Sequence, residues 1–377
     1  MDNNKAKNIL IVGGGIGGLS TAIALLQQGF DVELIELNAE WTVYGVGIIQ
    51  QGNVVREMAR LGVADECLKH GFSFDNVRLC DGAGNQLAVI PGARVAGPEY
   101  PVNMALPRIN LHTILLNKAT ELGARITLGM TIETLENGAD KALVKFSDGR
   151  DGAYDLVIGA DGIFSKVRGL LLGTHLKPTF TGQGGWRCNM PRMEEIDCLT
   201  MYRGRNGGQA GFCPLKDDLM YLLQTTAEPG NPWFDKGKLD VLFKERLAEF
   251  EGPVARARDE FITSPEQVVY KPFETIFVEQ PWYQGRVVLI GDAVHATTPH
   301  LGQGAGMAIE DGIVLAQELK DKPVDRALED FMTRRFERCK FVVSASLQIG
   351  AWEMERNHTA DFNGVVRKMI EVTAQPI

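Results

Sequence analysis

Three stretches of the chain set small residues beside acids, as a ligand rich in phosphates and hydroxyls would require. The first is Val12-Gly13-Gly14-Gly15-Ile16-Gly17-Gly18, a G-x-G-x-x-G pattern formed by Gly13, Gly15 and Gly18. Such a pattern alone is weak evidence. Here it follows an apolar run, Asn8–Val12, and opens a helical stretch over Leu19–Gln28. The next apolar run, Val32–Glu36, ends in an acid eighteen residues beyond Gly18. Gly13 would permit the tight turn, Gly15 would let the backbone approach a pyrophosphate, and Gly18 would let the helix pack on the strand. The helix start would face the phosphates with free N–H groups and a partial positive charge. Glu36 would accept hydrogen bonds from a ribose. The motif does not by itself choose between a flavin and a nicotinamide dinucleotide.

The second stretch is Asp155-Leu156-Val157-Ile158-Gly159-Ala160-Asp161-Gly162, followed by Ser165 and Arg168. The third runs from Gly285 through Gly291-Asp292-Ala293, His295, Pro299 and His300 to Gly302-Gln303-Gly304-Ala305-Gly306. An acid at the carboxyl end of a buried strand sits where open α/β sheets bind ligands. Asp292 is placed to accept hydrogen bonds from a polyol chain, and the glycine-rich stretch offers amides and a positive helix end to an anionic ring edge. Read singly, Asp161 and Asp292 could each be a helix cap or turn residue instead. His295 reads as a packed or capping residue, and His300 could edge a reaction cavity.

The elements that must position these residues follow from periodicity. Asn8–Val12, Val32–Glu36, Leu156–Asp161 and Val287–Asp292 are short, apolar and β-branched, as strands buried on both faces are. Leu19–Gln28, Leu111–Leu122 and Met307–Leu319 have helical spacing. The alternation predicts a doubly wound, Rossmann-like α/β domain with a parallel sheet. Its strands come from both ends and the middle of the chain, so the domain is expected to be discontinuous, built from 1–73, 102–178 and 270–340. The intervening 74–101 and 179–269, rich in Gly, Pro and alternating strands such as Leu219–Gln224, are expected to form a second β-sheet domain facing the substrate. A C-terminal helical segment is expected over 341–377, and the Phe331, Phe336, Phe341 stripe reads as packing.

Composition narrows the partners. With 377 residues, 45% hydrophobic and 23% charged, the chain is long enough for two packed domains and too apolar for broad disorder. A formal charge of −9 argues against nucleic acid. No apolar run approaches the ~18–20 residues of a membrane span. The polar start Met1–Lys7 does not resemble a signal peptide. The six cysteines show neither C-x-x-C nor zinc spacing, so reduced thiols, no metal site and a cytoplasmic location are expected.

Together the three motifs resemble the single-component (group A) FAD-dependent aromatic hydroxylases, such as those acting on 4-hydroxybenzoate, salicylate, 3-hydroxybenzoate or urate. The resemblance runs from about residue 8 to about residue 340. It implies an FAD enzyme in which NADH or NADPH docks transiently as co-substrate. O2 would be activated as a flavin C4a-hydroperoxide, and an activated aromatic or N-heteroaromatic small molecule would be hydroxylated. It implies that Glu36 holds the adenosine ribose, Arg108 reaches FAD from the start of its helix, and backbone around Ile132 meets the adenine. The Gly45-Val46-Gly47 loop would cover the isoalloxazine and ribityl region. Asp161 and Gly162 would lie near the pyrophosphate and the NAD(P)H path. Asp292 would bind the ribityl chain, Pro299 would sit beside the reactive flavin carbon, and Gly302, Gln303, Gly304, Ala305 and Gly306 would meet the pyrimidine ring. A monomer or homodimer is expected.

The chain departs from the family in places. Many relatives carry Arg directly after the ribose-binding acid, where this chain has Leu37. Relatives with a histidine base on a substrate-domain strand have no counterpart, since the nearby positions are Gln209 and Cys213. The arginine that binds urate in the urate hydroxylases also falls at about Gln209. Tyr221 matches a position where relatives place a substrate-contacting tyrosine. A halogenase reading would need W-x-W-x-I-P, which no tryptophan here forms. An isoprenoid-chain reductase reading would need Y-x-W-x-F-P, to which Gly211-Phe212-Cys213-Pro214 is the nearest and imperfect match. A non-catalytic flavin-binding protein is the remaining alternative.

Overall fold

The computed structural model describes residues 6–42, 46–205, 207–279, 281–357 and 359–377. Gly45 of the expected flavin-covering loop lies outside them. At the centre is a six-stranded sheet in the order Tyr283–Gln284, Val287–Leu289, Leu156–Gly159, Asn8–Val12, Asp31–Glu36, Arg125–Leu128. Every pair is parallel except the first. Ile9, Leu10 and Ile11 of the middle strand are fully buried, because helices and the small antiparallel sheet of Ile132–Asn137, Ala142–Phe146 and Asp151–Tyr154 pack into the same core and leave no solvated side to alternate toward. Helix Ile16–Gln27 packs against Arg108–Glu121 and Gly304–Asp321. The strands indeed come from both ends and the middle of the chain.

A seven-stranded sheet forms the second layer: Val268–Thr275, Thr179–Pro191, Leu219–Ala227, Gln209–Pro214, Leu199–Arg203, Asn76–Asp81, Gln86–Pro91. Side chains alternate across it. Trp186, Phe212 and Leu222 enter a core with Phe243 and Leu247 from helix Leu239–Arg246 and just past its end. Tyr221, Cys213, Leu223 and Val269 face the opposite way, onto Val46, Ile49 and Ala105. The last two belong to a small antiparallel sheet of Gly47–Gln51, Asn103–Pro107 and Phe72–Phe74, which joins the two domains.

Two boundaries differ from the sequence reading. Val268–Thr275 stays paired with Thr179–Pro191 as far as Thr275, so the second sheet continues past 269. The division at 340/341 falls inside one unbroken helix, Val324–Met354. Propensity has no reason to stop there, since neither Gly nor Pro interrupts Arg334–Ser346. A further helix, Phe362–Ala374, follows. Phe331 and Phe336 pack on Trp282, and Phe336 also on Phe277.

Candidate active site

The three motif loops leave the carboxyl ends of adjacent parallel strands and so lie along one edge of the sheet. In the first loop the glycines are required for different reasons. Gly13 has φ +111°, and a Cβ on it would sit 2.4 Å from the Ala160 carbonyl oxygen. A Cβ on Gly18 would sit 2.0 Å from the Gly13 carbonyl oxygen, so helix and strand touch there. A Cβ on Gly15 would meet nothing within 4 Å, leaving open space in front of the helix start. Glu36 Oε2 accepts from the Gly14 amide at 2.8 Å, and Oε1 accepts from the Asn38 amide and side chain. This fixes the carboxylate beside the loop. Leu37 is 66% exposed. His112, which sequence reading left without a role, lies under the loop: its Nε2 donates to the Gly14 carbonyl at 2.9 Å and its ring packs on Trp41. Burial holds that imidazole below its ordinary pKa, hence neutral.

The two acids that looked alike in sequence separate here. Asp161 is consumed by its own chain: it accepts from the Ser165 hydroxyl, from the Lys166 amide at 2.7 Å and from the Val167 amide at 3.0 Å. It caps helix Lys166–Leu172, the reading that the sequence left open for it, while its Cα lies beside Gly13, 2.9 Å from where a Cβ on that glycine would sit. Arg168, buried in the same helix, donates to the carbonyls of Ile163, Leu176 and Ala293, tying this loop to the third motif. Asp292 is exposed and has no hydrogen-bond partner among the described residues.

Behind Asp292 lies a buried ionic network. Asp311 Oδ2 accepts from the Gly291 amide at 2.9 Å and from His295 Nε2 at 2.6 Å, and Oδ1 accepts from Arg335 Nε at 2.8 Å. Arg335 and Arg338 both donate to Glu310. Burial opposes a charge on His295, but Cys339 and Asp311 beside it more than offset this, so its pKa is raised well above 6.5. The pKa of Asp311 is lowered: burial opposes the carboxylate, and His295 and Arg335 outweigh it. His295, Asp311 and Cys339 could geometrically share a metal ion. Arg335, donating to Asp311 and lying 3.4 Å from Cys339 Sγ, already occupies that place with a cation. The expected packing role of His295 is therefore an ion pair that anchors Gly291.

At the far end of the third motif, Pro299–Leu301 forms a 3-10 turn, and Gly302 adopts φ +65° before helix Gly304–Asp321 begins. The N-terminal amides of that helix carry its positive pole. Gln303 is clamped through its amide to Gln51 and Asn53, and Gln51 Nε2 donates to the Leu301 carbonyl at 3.0 Å. Polar pairs so far apart in the chain leave no signal in sequence. His300 accepts at Nδ1 from Thr298 Oγ1 at 2.8 Å and donates from Nε2 to Glu353 at 3.2 Å. Glu353 also accepts from Gln183 and Gln209.

Of the other expected residues, Arg108 begins its helix with an exposed side chain, and its amide donates to the Val46 carbonyl at 3.2 Å. Ile132 buries its side chain completely, so only its backbone could face a ligand. Tyr221 is 4% exposed and lies directly under Gly47, where a Cβ would come 2.4 Å from its ring. Burial, followed by Cys213, raises the pKa of its phenol well above 10, so the hydroxyl is a donor and not a base.

The chain is similar to known proteins. A family model described as "FAD binding domain" matches residues 6–346. YetM of Bacillus subtilis (strain 168), provisionally named as an FAD-dependent monooxygenase, is 34% identical over 91% of this chain and 93% of its own. The 2-heptyl-3-hydroxy-4(1H)-quinolone synthase of Pseudomonas aeruginosa (strain UCBPP-PA14) is 31% identical over 92% and 90%. The 6-hydroxynicotinate 3-monooxygenase of Pseudomonas fluorescens is 30% identical over 84% of each chain. The fold matches that of Klebsiella pneumoniae HpxO complexed with FAD and uric acid, with a TM-score of 0.85 at 24% identity over 98% of this chain and 97% of that one. Among the described residues no helix is long and apolar enough to cross a membrane.

Proposed function

Because the chain belongs to this FAD binding domain family, we propose that it is an FAD-dependent monooxygenase using NADH or NADPH and O2 to hydroxylate an activated aromatic or N-heteroaromatic small molecule. The carrying observation is the open space before Gly15 on the same sheet edge as Asp292, which has no partner among the described residues. A pyrophosphate fits the first, and the hydroxyls of a ribityl chain fit the second. Bound FAD would take a hydride from NAD(P)H and deliver one atom of O2 to the ring, the other leaving as water.

The protein's own residues bind, orient and exclude water. Glu36 holds the ribose, with Arg108 reaching the cofactor and the backbone at Ile132 bordering the adenine. The backbone at Gly162 borders the pyrophosphate and the nicotinamide path. Val46 and Gly47 cover the ring system, and the amides of Gly302 to Gly306 stabilise negative charge at the pyrimidine edge. Pro299 and His300 border the reacting ring carbon, and Tyr221 orients an oxygen substituent from the sheet. The 6–73, 102–178 and 276–340 regions form the FAD-binding part in this reading, and the seven-stranded sheet forms the substrate part. Six buried, unpaired cysteines support a cytoplasmic location, and the working form is a monomer or homodimer. The test is NAD(P)H oxidation under air by the FAD-loaded protein across hydroxy- and amino-substituted aromatics and N-heteroaromatics. We expect stimulation by at least one ring, with one oxygen from O2 in the product. A protein that retains no FAD, or that no ring stimulates, would refute the assignment.

A further inference from the structure

On the strand Thr179–Pro191, Trp186, Cys188 and Met190 enter the helix-covered core. Gly185, Arg187 and Asn189 therefore face the junction with the FAD-binding part. Arg187 stands between Leu223 on one neighbouring strand and Val269 on the other, and Asn189, two residues on, pairs with Tyr221. Gly185 lets both the Phe273 ring and the guanidinium come close: a Cβ there would lie 2.6 Å from the ring and 3.0 Å from Arg187 Nη1. Arg187 is half-buried, yet it makes no ion pair or hydrogen bond among the described residues. Arginines buried as deeply or more deeply behave differently. Arg168 is held by three carbonyls, Arg246 by Glu228, and Arg335 by Glu310 and Asp311.

Burial disfavours the charge on Arg187; Tyr221 and Arg108 are its electrostatic neighbours, and Arg108 adds a second cation. A guanidinium stays protonated in proteins, so a half-buried one without an acceptor is costly until an anion reaches it. The next row of the same face, Gly185, Thr225 and Gln209, leads toward a cavity of about 410 Å³ lined by Gln183, Gln209, Thr225 and Glu353. Arg187 keeps part of its own surface exposed, so a small molecule can reach it from solvent. Gln209 does not compete for an anion, because its amide is already bound to Glu353.

We propose that Arg187 receives an anionic oxygen of the aromatic substrate, so the enzyme takes rings carrying a carboxylate or a deprotonated ring hydroxyl. This rests on the monooxygenase reading above. The planar fork suits either oxygen, and a ring oxyanion also raises the electron density that an electrophilic oxygen needs.

The experiment titrates FAD-loaded protein and follows the flavin spectrum. The probes are 3-hydroxybenzoate, its neutral isostere 3-hydroxybenzamide, and 4-nitrophenol below and above its own ionisation; the first pair reads the carboxylate and the last the ring oxyanion. We expect at least one anionic form to bind roughly tenfold or more tightly than its neutral counterpart. Arg187→Met should abolish that preference with FAD content unchanged, and Arg187→Lys should keep part of it. Equal binding of charged and neutral forms by the wild type overturns the proposal. So does an anion preference that survives in Arg187→Met, or loss of FAD from a folded variant, which would assign the guanidinium to the cofactor. If the methionine variant does not fold, the lysine variant and the wild-type pairs decide. Stimulation of NAD(P)H oxidation by neutral rings only would sink the proposal and leave the monooxygenase reading standing; no stimulation by any ring counts against that reading itself.

Discussion

Substituting the glycines of the first loop one at a time separates cofactor binding from folding. Gly15 precedes helix Ile16–Gln27 with φ −73° and ψ −176°, an extended conformation open to any residue, and its Cβ direction is empty to 4 Å. Gly15→Val should therefore change the stability of the apoprotein by no more than about 1 kcal/mol. It should place a branched side chain where the pyrophosphate must approach. Losing two charge-assisted amide contacts costs about 3–6 kcal/mol, or roughly 10²–10⁴-fold in FAD affinity. Gly18→Ala should do the reverse. Its Cβ would meet the Gly13 carbonyl oxygen at 2.0 Å, and that residue is itself fixed by its amide donating to the Ile35 carbonyl at 2.8 Å. Helix and strand must part, at a cost of about 1–3 kcal/mol or more. Urea denaturation of the apoproteins and titration of FAD fluorescence measure the two effects. Near-wild-type FAD affinity in Gly15→Val, or destabilisation equal to that of Gly18→Ala, would refute the reasoning.

Asp292→Ala should leave apoprotein stability nearly unchanged and weaken FAD binding by about 1.5–3 kcal/mol, since it removes only an acceptor for sugar hydroxyls; unchanged retention through gel filtration would contradict this. Asp311→Asn should destabilise the fold by about 3–5 kcal/mol, because it leaves buried His295 and Arg335 short of a counter-charge; a denaturation midpoint equal to wild type would speak against it. The same pair sets a pH dependence. The His295 contribution, from a raised pKa, is full below about 6.5 and fades as pH rises toward the folded value; the Asp311 contribution, from a lowered one, is full above about 3.8 and lost below it. Stability should fall above pH 6.5 in the wild type and lose that component of slope in His295→Gln. Tyr221→Phe should leave FAD binding unchanged and divert part of the reduced flavin to hydrogen peroxide, measured as product formed per NAD(P)H consumed; full coupling across the pH range would place Tyr221 in the packing alone.

The sequence by itself determined what depends on neighbours along the chain. Apolar β-branched runs announced strands buried on both faces, and Gly13, Gly15, Gly18 and Glu36 announced a dinucleotide loop, because turn, helix start and acid lie within one β-α-β unit. Roles that depend on distant partners were not legible there. Asp161 and Asp292 each follow an apolar strand and precede a helix. Asp161 stands far enough ahead of its helix to fold back onto the Lys166 and Val167 amides, whereas Asp292 is itself the first helical residue and cannot. His295 looked like packing until Asp311 and Arg335, on two other helices, supplied its charges. His300 gained its carboxylate from Glu353, in the last turn of a helix the sequence reading had divided at 340. Periodicity reports which face a side chain takes, while only the packing of one element on another decides which charges that face meets. That is why Arg187 stands unpaired among the described residues on one face of its strand, while the other face is filled by Trp186.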